Sequence, residues 1–554
     1  GNATLTATAD IQGGNVNAGG EAMINASNAG DIDGIVVMAA QKVTAIADQS
    51  VTNAGFTSTD STVDVTAEKV DITNTDVVAN QKATATAGKD VIGSSLVSEA
   101  ANVVLTAGQD VIDTDSAAAT TIEYFVTRDV VNGSATTAGA TLGGGGNITL
   151  KVDGRTDNLL ATTDGGDTIT ATGLTALNQG SIDGGVFTAD TIVFNKATGV
   201  GANNQTLLAG AETITILNAT SGGVNVRNTN VNDTLADVQA LGSGDILFDQ
   251  ANLDGTLTLA RMVTADGDIT ATADDDTVTQ QVASGTDGDV RITVTDGNLT
   301  VTAQGVTAAG GGEIALVTQG DEEDVIVNAN VTAASGPISI NAADDAYLYA
   351  PVTVTDGSDD ITVAAGEDIV ADSDITTLNG VVTLSAAGTI TDTTDGATDI
   401  TAATLNIAAA QAVGTDLNGN PLSSDDGWLD TDVEVLNAAV DGSAFILEDN
   451  NIELGVVEAD LFAGEHFALH SGGTITLGDL DVTDGRATLI AADAIQDAQA
   501  DHVTDITGAE VYLRSANGIG NLRDVELSSP KITANTTGLG AASIELINDT
   551  SVDA

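Results

Sequence analysis

Residues 290–306 read VRITVTDGNLTVTAQGV. Val290, Ile292 and Val294 alternate with Arg291, Thr293 and Thr295, so one face of this run is apolar and the other polar. After Asp296 and Gly297 the alternation resumes: Leu299 and Val301 take one side, Thr300 and Thr302 the other. A third short run starts at Val306. Period-two alternation bounded by Gly, Asp and Asn is the signature of a strand between turns. Helix is disfavoured, because Thr, Val, Gly and Asp are poor helix formers and no 3.6-residue stripe persists.

The same unit repeats. One inward aliphatic per run gives Val224, Ile246, Ile269, Ile292, Ile314, Ile338, Ile361 and Val382, spaced by 21 to 24 residues. Elsewhere TAGKDVIGS at Thr86 returns as TAGQDVIDT at Thr106. Short strands in units of fixed length predict an all-β chain, a single-stranded parallel β-helix (β-solenoid) with about 22 residues per coil. Sandwiches and barrels alternate too, but do not require constant spacing. About 25 coils at ~4.8 Å each would make a rod of roughly 120 Å, read here as one continuous solenoid over residues 1–554.

Composition agrees. Hydrophobic residues make up 42% of the 554, yet aromatics only 2%, which predicts a narrow core of Ala, Val, Ile and Leu. Gly numbers 62, Pro 4 and Cys 0. Fifteen Lys plus Arg against 80 Asp plus Glu give a formal charge of −65, a field that repels nucleic acid and anionic membranes. Branched aliphatics argue against disorder. No apolar run approaches the ~20 residues of a membrane-spanning helix. The acids fall in turns, at Asp274–Asp276, Asp321–Asp324 and Asp356–Asp360, where water and cations screen them. The chain opens GNATLTATADI, already strand-like, which reads as a processed product or a piece of something longer.

A longer period overlies the short one. Residues 400–414, ITAATLNIAAAQAVG, match 187–201, FTADTIVFNKATGVG, and 506–520, ITGAEVYLRSANGIG, without a gap. TLSAAGTITD at Thr383 likewise parallels TLIAADAIQD at Thr488. Related modules are therefore expected near 148–235, 361–450 and 466–550, with a loop excursion at 411–430. A solenoid exposes apolar coil ends unless they are capped, so neighbouring repeats or further copies end to end are the expected partners.

Units of the form G-[DN]-I-x-[LAV]-x-A, then D-[IV]-x-x-x, then x-A-x-x-G-G, resemble the coil repeats of filamentous-haemagglutinin-type large exoproteins. The module G-I-G…P-L…L-x-A…I-x-[IL]-x-[DE] resembles repeats of giant bacterial surface adhesins. The resemblance implies a right-handed parallel β-helix, export to the cell surface, and an adhesive or fibrous role. A surface glycan or other cell-surface ligand would be the partner. The secretion and receptor-binding domains of such proteins are not recognisable in this sequence.

Candidate sites are few. Glu465, His466 and His470 in GEHFALH invite a metal reading, but on a strand the histidines lie about 13 Å apart; His502 has no partner in sequence. The turn carboxylates Asp321, Glu322, Glu323, Asp324, Asp356, Asp359 and Asp360 are calcium candidates of low affinity, against the competing reading of solvated charge. No other cofactor is expected. Asn74-Thr75-Asp76 matches a fragment of a polygalacturonase-like signature, and Asp274–Asp276 could supply paired acids. No Gly-His-Gly or Arg-Ile-Lys follows, and an anionic polymer would be repelled. Tyr347 and Tyr349 alternate with Ala346 and Leu348 and are expected to point outward. The expectation is a non-catalytic, structural or adhesive segment of an extracellular fibre. The alternatives are a subunit polymerising end to end and, more distantly, a polysaccharide-active enzyme.

Overall fold

The computed structural model describes residues 1–137, 146–163, 166–173, 180–201, 205–218, 222–251, 254–393, 399–424, 427–499, 503–538 and 542–549. Its strands pair in parallel, each with the strand about one turn away, in a β-solenoid with turns of about 21 residues, slightly tighter than the sequence spacing suggests. No helix occurs among the described residues. Two compact units divide it, Gly1–Ala273 and Asp274–Ala554.

In the first unit the strands Val43–Ala47, Val63–Ala67 and Ala83–Ala87 each bury every second residue. Register stacks the buried ones into columns: Val43 on Val63, then Ala83, Val103, Ile122, Ile148, Ile169 and Ile192. A buried Val or Ile contributes about 1.5–3 kcal/mol, and it does so only because the next turn covers it. The rare rings join this core: Tyr124, Phe56, Phe187, Phe194 and Phe248 are buried, and Phe187 meets Phe194 edge to face at 5.2 Å.

One corner of this unit turns through the left-handed region at the same place in successive turns. Gly13, Gly34, Asn53, Asn74, Gly93, Asp113, Asn132, Asn158 and Gly184 all have positive φ. Gly has no Cβ to clash there, and Asn and Asp tolerate the conformation best among the other residues. The amides also form a ladder: Asn74 Nδ2 donates to Asn53 Oδ1 (3.3 Å), Asn132 to Asp113 (2.9 Å) and Asn158 to Asn132 (3.0 Å). Three residues before the corner an aspartate accepts the next turn's backbone N–H, as in Asp31 N to Asp10 (3.0 Å), Asp110 N to Asp90 (2.9 Å) and Asp129 N to Asp110 (3.0 Å).

The second unit has its own column, Val290–Ile314–Ile338–Ile361–Val382–Leu405–Leu436. Here one sequence anchor is corrected. Ile292 is buried but pairs with Leu316, and Val290 is the residue opposite Ile314. The two share a face, so a two-residue slip leaves the alternation unchanged and periodicity cannot choose between them. Aspartates again cap the next turn: Asp345 N on Asp324 (3.1 Å), Asp368 N on Asp345 (2.8 Å) and Thr389 N on Asp368 (2.6 Å).

The thrice-repeated phrase proves to be one local device. Its final residues Gly201, Gly414 and Gly520 have φ of 65°, 63° and 71°. Each follows a single-residue bridge, Val200 to Val224, Val413 to Ala444, and Ile519 to Ile544. Each donates its N–H to the previous turn, to the carbonyls of Ile182, Ile390 and Ile495. A Cβ on any of them would press into the carbonyl of the next turn, that of Asn225, Phe445 or Glu545. Only glycine fits.

Candidate functional site

The calcium candidates do not gather as they do in sequence. Asp321 and Glu322 are exposed, and Glu323 and Asp324 half-buried. Of the seven, Asp324 alone joins a cluster of three carboxylates found among the described residues, with Asp344 and Asp345 from the next turn. Burial raises the Asp324 carboxyl against the opposing hydrogen bond from Asp345 N, and burial, then the charge of Asp345, raises Asp344; burial, then Asp296 and Asp276, raises Glu323. Asp356 Oδ1 accepts from Ser358 N (3.2 Å), Ser358 Oγ donates to Asp359 Oδ2 (3.3 Å), and Asp360 accepts from Val381 N (2.9 Å). These carboxylates shape turns.

Two further clusters lie inside the solenoid, where sequence reading placed none: Asp392–Asp399–Asp430 and Asp497–Asp505–Glu526, all buried. They are one arrangement built twice. Asp392 and Asp497 end the matched segments TLSAAGTITD and TLIAADAIQD, and Asp399 and Asp505 precede the matched Ile400 and Ile506. Asp399 N bonds Asp430 O (3.1 Å) and Asp505 N bonds Glu526 O (2.8 Å). Asp497 occupies an inward position opposite Leu477, and Asp505 also accepts from Glu526 N (2.8 Å). Burial, with Asp497 and Glu526 adding repulsion, pushes Asp505 well above the usual carboxylate range. A retained proton lets such a trio sit together without a countercharge. The repeated aspartates were visible in the sequence, but their third partner depends on which turns stack.

Another buried acid, Glu448, lies fully enclosed and accepts from Thr431 Oγ1 (2.9 Å), Val433 N (3.0 Å) and Asn450 N (2.9 Å). Burial pushes it up to about 7.

The histidines lie on the strand His466–Ser471, as extended backbone predicts, and share one face. Neither belongs to a cluster of three metal-ligating side chains among the described residues; His502 lies outside the described residues. His470 Nε2 donates to Pro421 O at 3.1 Å, and its ring packs on Trp428 at 4.4 Å. The loop after Gly414 thus folds back over this sheet face, its neck closed by Thr415 N on Gly427 O (2.5 Å) and Trp428 packed on Phe445 and Ala468. Burial, then Arg486, lowers His466 below its ordinary range.

The remaining candidates serve turns. Asn74 belongs to the corner ladder, Thr75 is buried and Asp76 exposed. Asp274 accepts from Thr295 Oγ1 (3.1 Å), and Asp276 from Asn298 N (2.8 Å). Tyr347 and Tyr349 stack side by side at 5.8 Å with Tyr349 outward, and Tyr347 donates to Asp345 (2.7 Å).

These features define a parallel β-solenoid whose polar side chains chiefly bond one turn to the next. No family model, curated protein or solved structure matches the chain.

Proposed function

We propose that the chain is a non-catalytic, structural or adhesive segment of a surface fibre, working outside the cell as a stiff spacer. One observation supports this above all: turn after turn, aspartate and asparagine side chains bond the neighbouring turn. Side chains committed to such ladders stiffen each unit along its stacking direction. The −65 charge keeps such a segment soluble and opposes collapse onto acidic surfaces, with cations acting as screening counter-ions. Immunogold labelling of intact cells tests the reading. Label along surface fibres supports it, and label confined to the cell interior overturns it. Incubation with pectin and alginate should release no product; turnover of either would replace the spacer with an enzyme.

A further inference from the structure

Most carboxylates described so far are committed to the next turn. The strand Ile452–Ala459 and its two neighbours carry four that are not. Glu434, Glu453, Glu458 and Asp479 are exposed and make no hydrogen bond or ion pair with any described residue. Register brings them onto one face: Val435 lies beside Glu453, Ala439 beside Glu458, and Val456 beside Asp479.

The surface that holds them is hollowed. A recess of about 590 Å³ is lined by Asp432, Glu434 and Glu453 with the exposed Leu378. A second, of about 230 Å³, is lined by Gly455, Asp479 and the exposed Val456 and Val503. A third, of about 270 Å³, shares Val456 and adds Glu458. Glu453, Gly455, Val456 and Glu458 thus carry the three recesses in order along one strand, and the five steps from Glu453 to Glu458 span ~17 Å. Among the described residues no Lys, Arg or His lines any of them. Arg523 reaches the Ala498 carbonyl beside the second recess but does not line it.

Charge selects the occupant. Hollows walled by one sign of charge focus the field on whatever enters, and here that field favours cations. The four carboxylates do not chelate: none belongs to a cluster of three metal-ligating side chains among the described residues, so one metal ion would leave most of them unanswered. Their complement is positive charge spread over the same length. Each recess also sets an exposed aliphatic beside its carboxylates, which suits a side chain with an apolar stem and a charged head. Lysine and arginine have that form. We propose that this face docks an extended, Lys- or Arg-rich segment of a partner protein, its cations on the four carboxylates and their stems on Leu378, Val456 and Val503. About five or six extended residues cover the ~17 Å. Binding here leaves the turn-to-turn ladders untouched, so the site stands apart from the spacer reading.

A charge of −65 attracts any polycation, so the test must separate this face from the field of the whole chain. The full chain is titrated into a fluorescein-labelled peptide of five alternating Lys-Thr pairs at about 0.15 M salt, where distant charges are screened, and anisotropy is followed. The expected result is saturable binding of one peptide per chain. The triple variant Glu434→Gln, Glu453→Gln and Glu458→Gln should weaken it about tenfold or more. Glu21→Gln, Glu68→Gln and Glu99→Gln together remove the same charge from exposed positions of the first unit and should change it less than about twofold. Val456→Ser, which keeps every charge, should weaken it about threefold. All these positions are exposed, so the variants should melt with the parent. The proposal is overturned if the two triple variants weaken binding equally, if spermine binds as tightly as the peptide, if maltohexaose displaces the peptide, or if binding does not saturate at one peptide per chain.

Discussion

Substituting Gly414 by alanine separates two costs that the repeated phrase imposes on its last residue. At φ 63° an L side chain is disfavoured by about 1–2 kcal/mol, of which about 0.4–1 kcal/mol returns through the smaller entropy of the unfolded chain. That leaves roughly 1 kcal/mol for conformation alone. Gly34, at φ 64°, isolates this term, since a Cβ there would meet nothing nearer than 3.8 Å. At Gly414 the new Cβ would come within 2.5 Å of Phe445 O, and that carbonyl sits in the backbone of the next turn and cannot swing away. Forcing such a contact open costs about 1–3 kcal/mol more. Gly414→Ala should therefore lose about 2–4 kcal/mol against about 1 kcal/mol for Gly34→Ala. Native-state hydrogen exchange suits the measurement, because stacked repeats open locally and a single global unfolding energy is ill-defined for them. Protection of the Gly414 and Phe445 amides, which donate to Ile390 O and Val413 O, should fall roughly thirty- to a thousandfold. Equal losses for the two variants would refute the close-approach argument.

Asn132→Ala should cost about 2–3 kcal/mol, from a left-handed φ of 54° and the ladder bonds to Asp113 and from Asn158, whereas Asn132→Gly should cost about 1 kcal/mol; thermal unfolding of both variants checks this order. Phe248→Ala should cost about 3–5 kcal/mol and Leu247→Ala, 42% exposed, less than about 0.5 kcal/mol. A reversed order would mean that the strand Ile246–Gln250 is slipped by one residue. Glu448, pushed up to about 7, and Asp505, also raised, hold protons more tightly folded than unfolded. Their contribution is complete below about pH 4 and is lost as pH rises through the raised values, so the urea midpoint followed by Trp428 emission should be higher near pH 5 than near pH 8.5. Asp110 has the opposite sign: hydrogen bonding to Arg128 lowers it, and its contribution disappears on acidification. Exchange protection of Asp129 N, which donates to Asp110, should fall as pH drops through the lowered value.

The solenoid was legible because burial alternates with period two and the unit length barely varies. Both follow from each turn having to rest on the next. Leu299, Val301 and Val306 are buried, and Thr300 and Thr302 lie on the partly exposed side, as alternation requires. Register was less legible, as Ile292 and Val290 illustrate. The corner ladder was present as Asp-aliphatic-x-Asn or Gly, in Asp71 to Asn74 and Asp129 to Asn132, but its meaning depends on a backbone conformation that composition does not express. Side-chain clusters were the least legible. Asp324 meets Asp344 and Asp345 rather than its sequence neighbours Asp321 and Glu322, and His470 meets Pro421 across 49 residues. Such meetings are decided by turn length, which a loop excursion changes without altering the strand pattern.

The left-handed glycine closing each repeated phrase also marks where the chain can lengthen at little cost. From Val200 to its bridge partner Val224 the path is 24 residues, from Ile519 to Ile544 it is 25, and from Val413 to Ala444 it is 31. The hydrogen bonds on either side are the same in all three. In the longest path the extra residues follow Gly414 and the chain rejoins the stack in register at Ala444, so register tolerates a change of turn length at this point. An insert grafted into this loop would keep the register of the stack as long as the Thr415–Gly427 neck and the Pro421 carbonyl that accepts from His470 are retained.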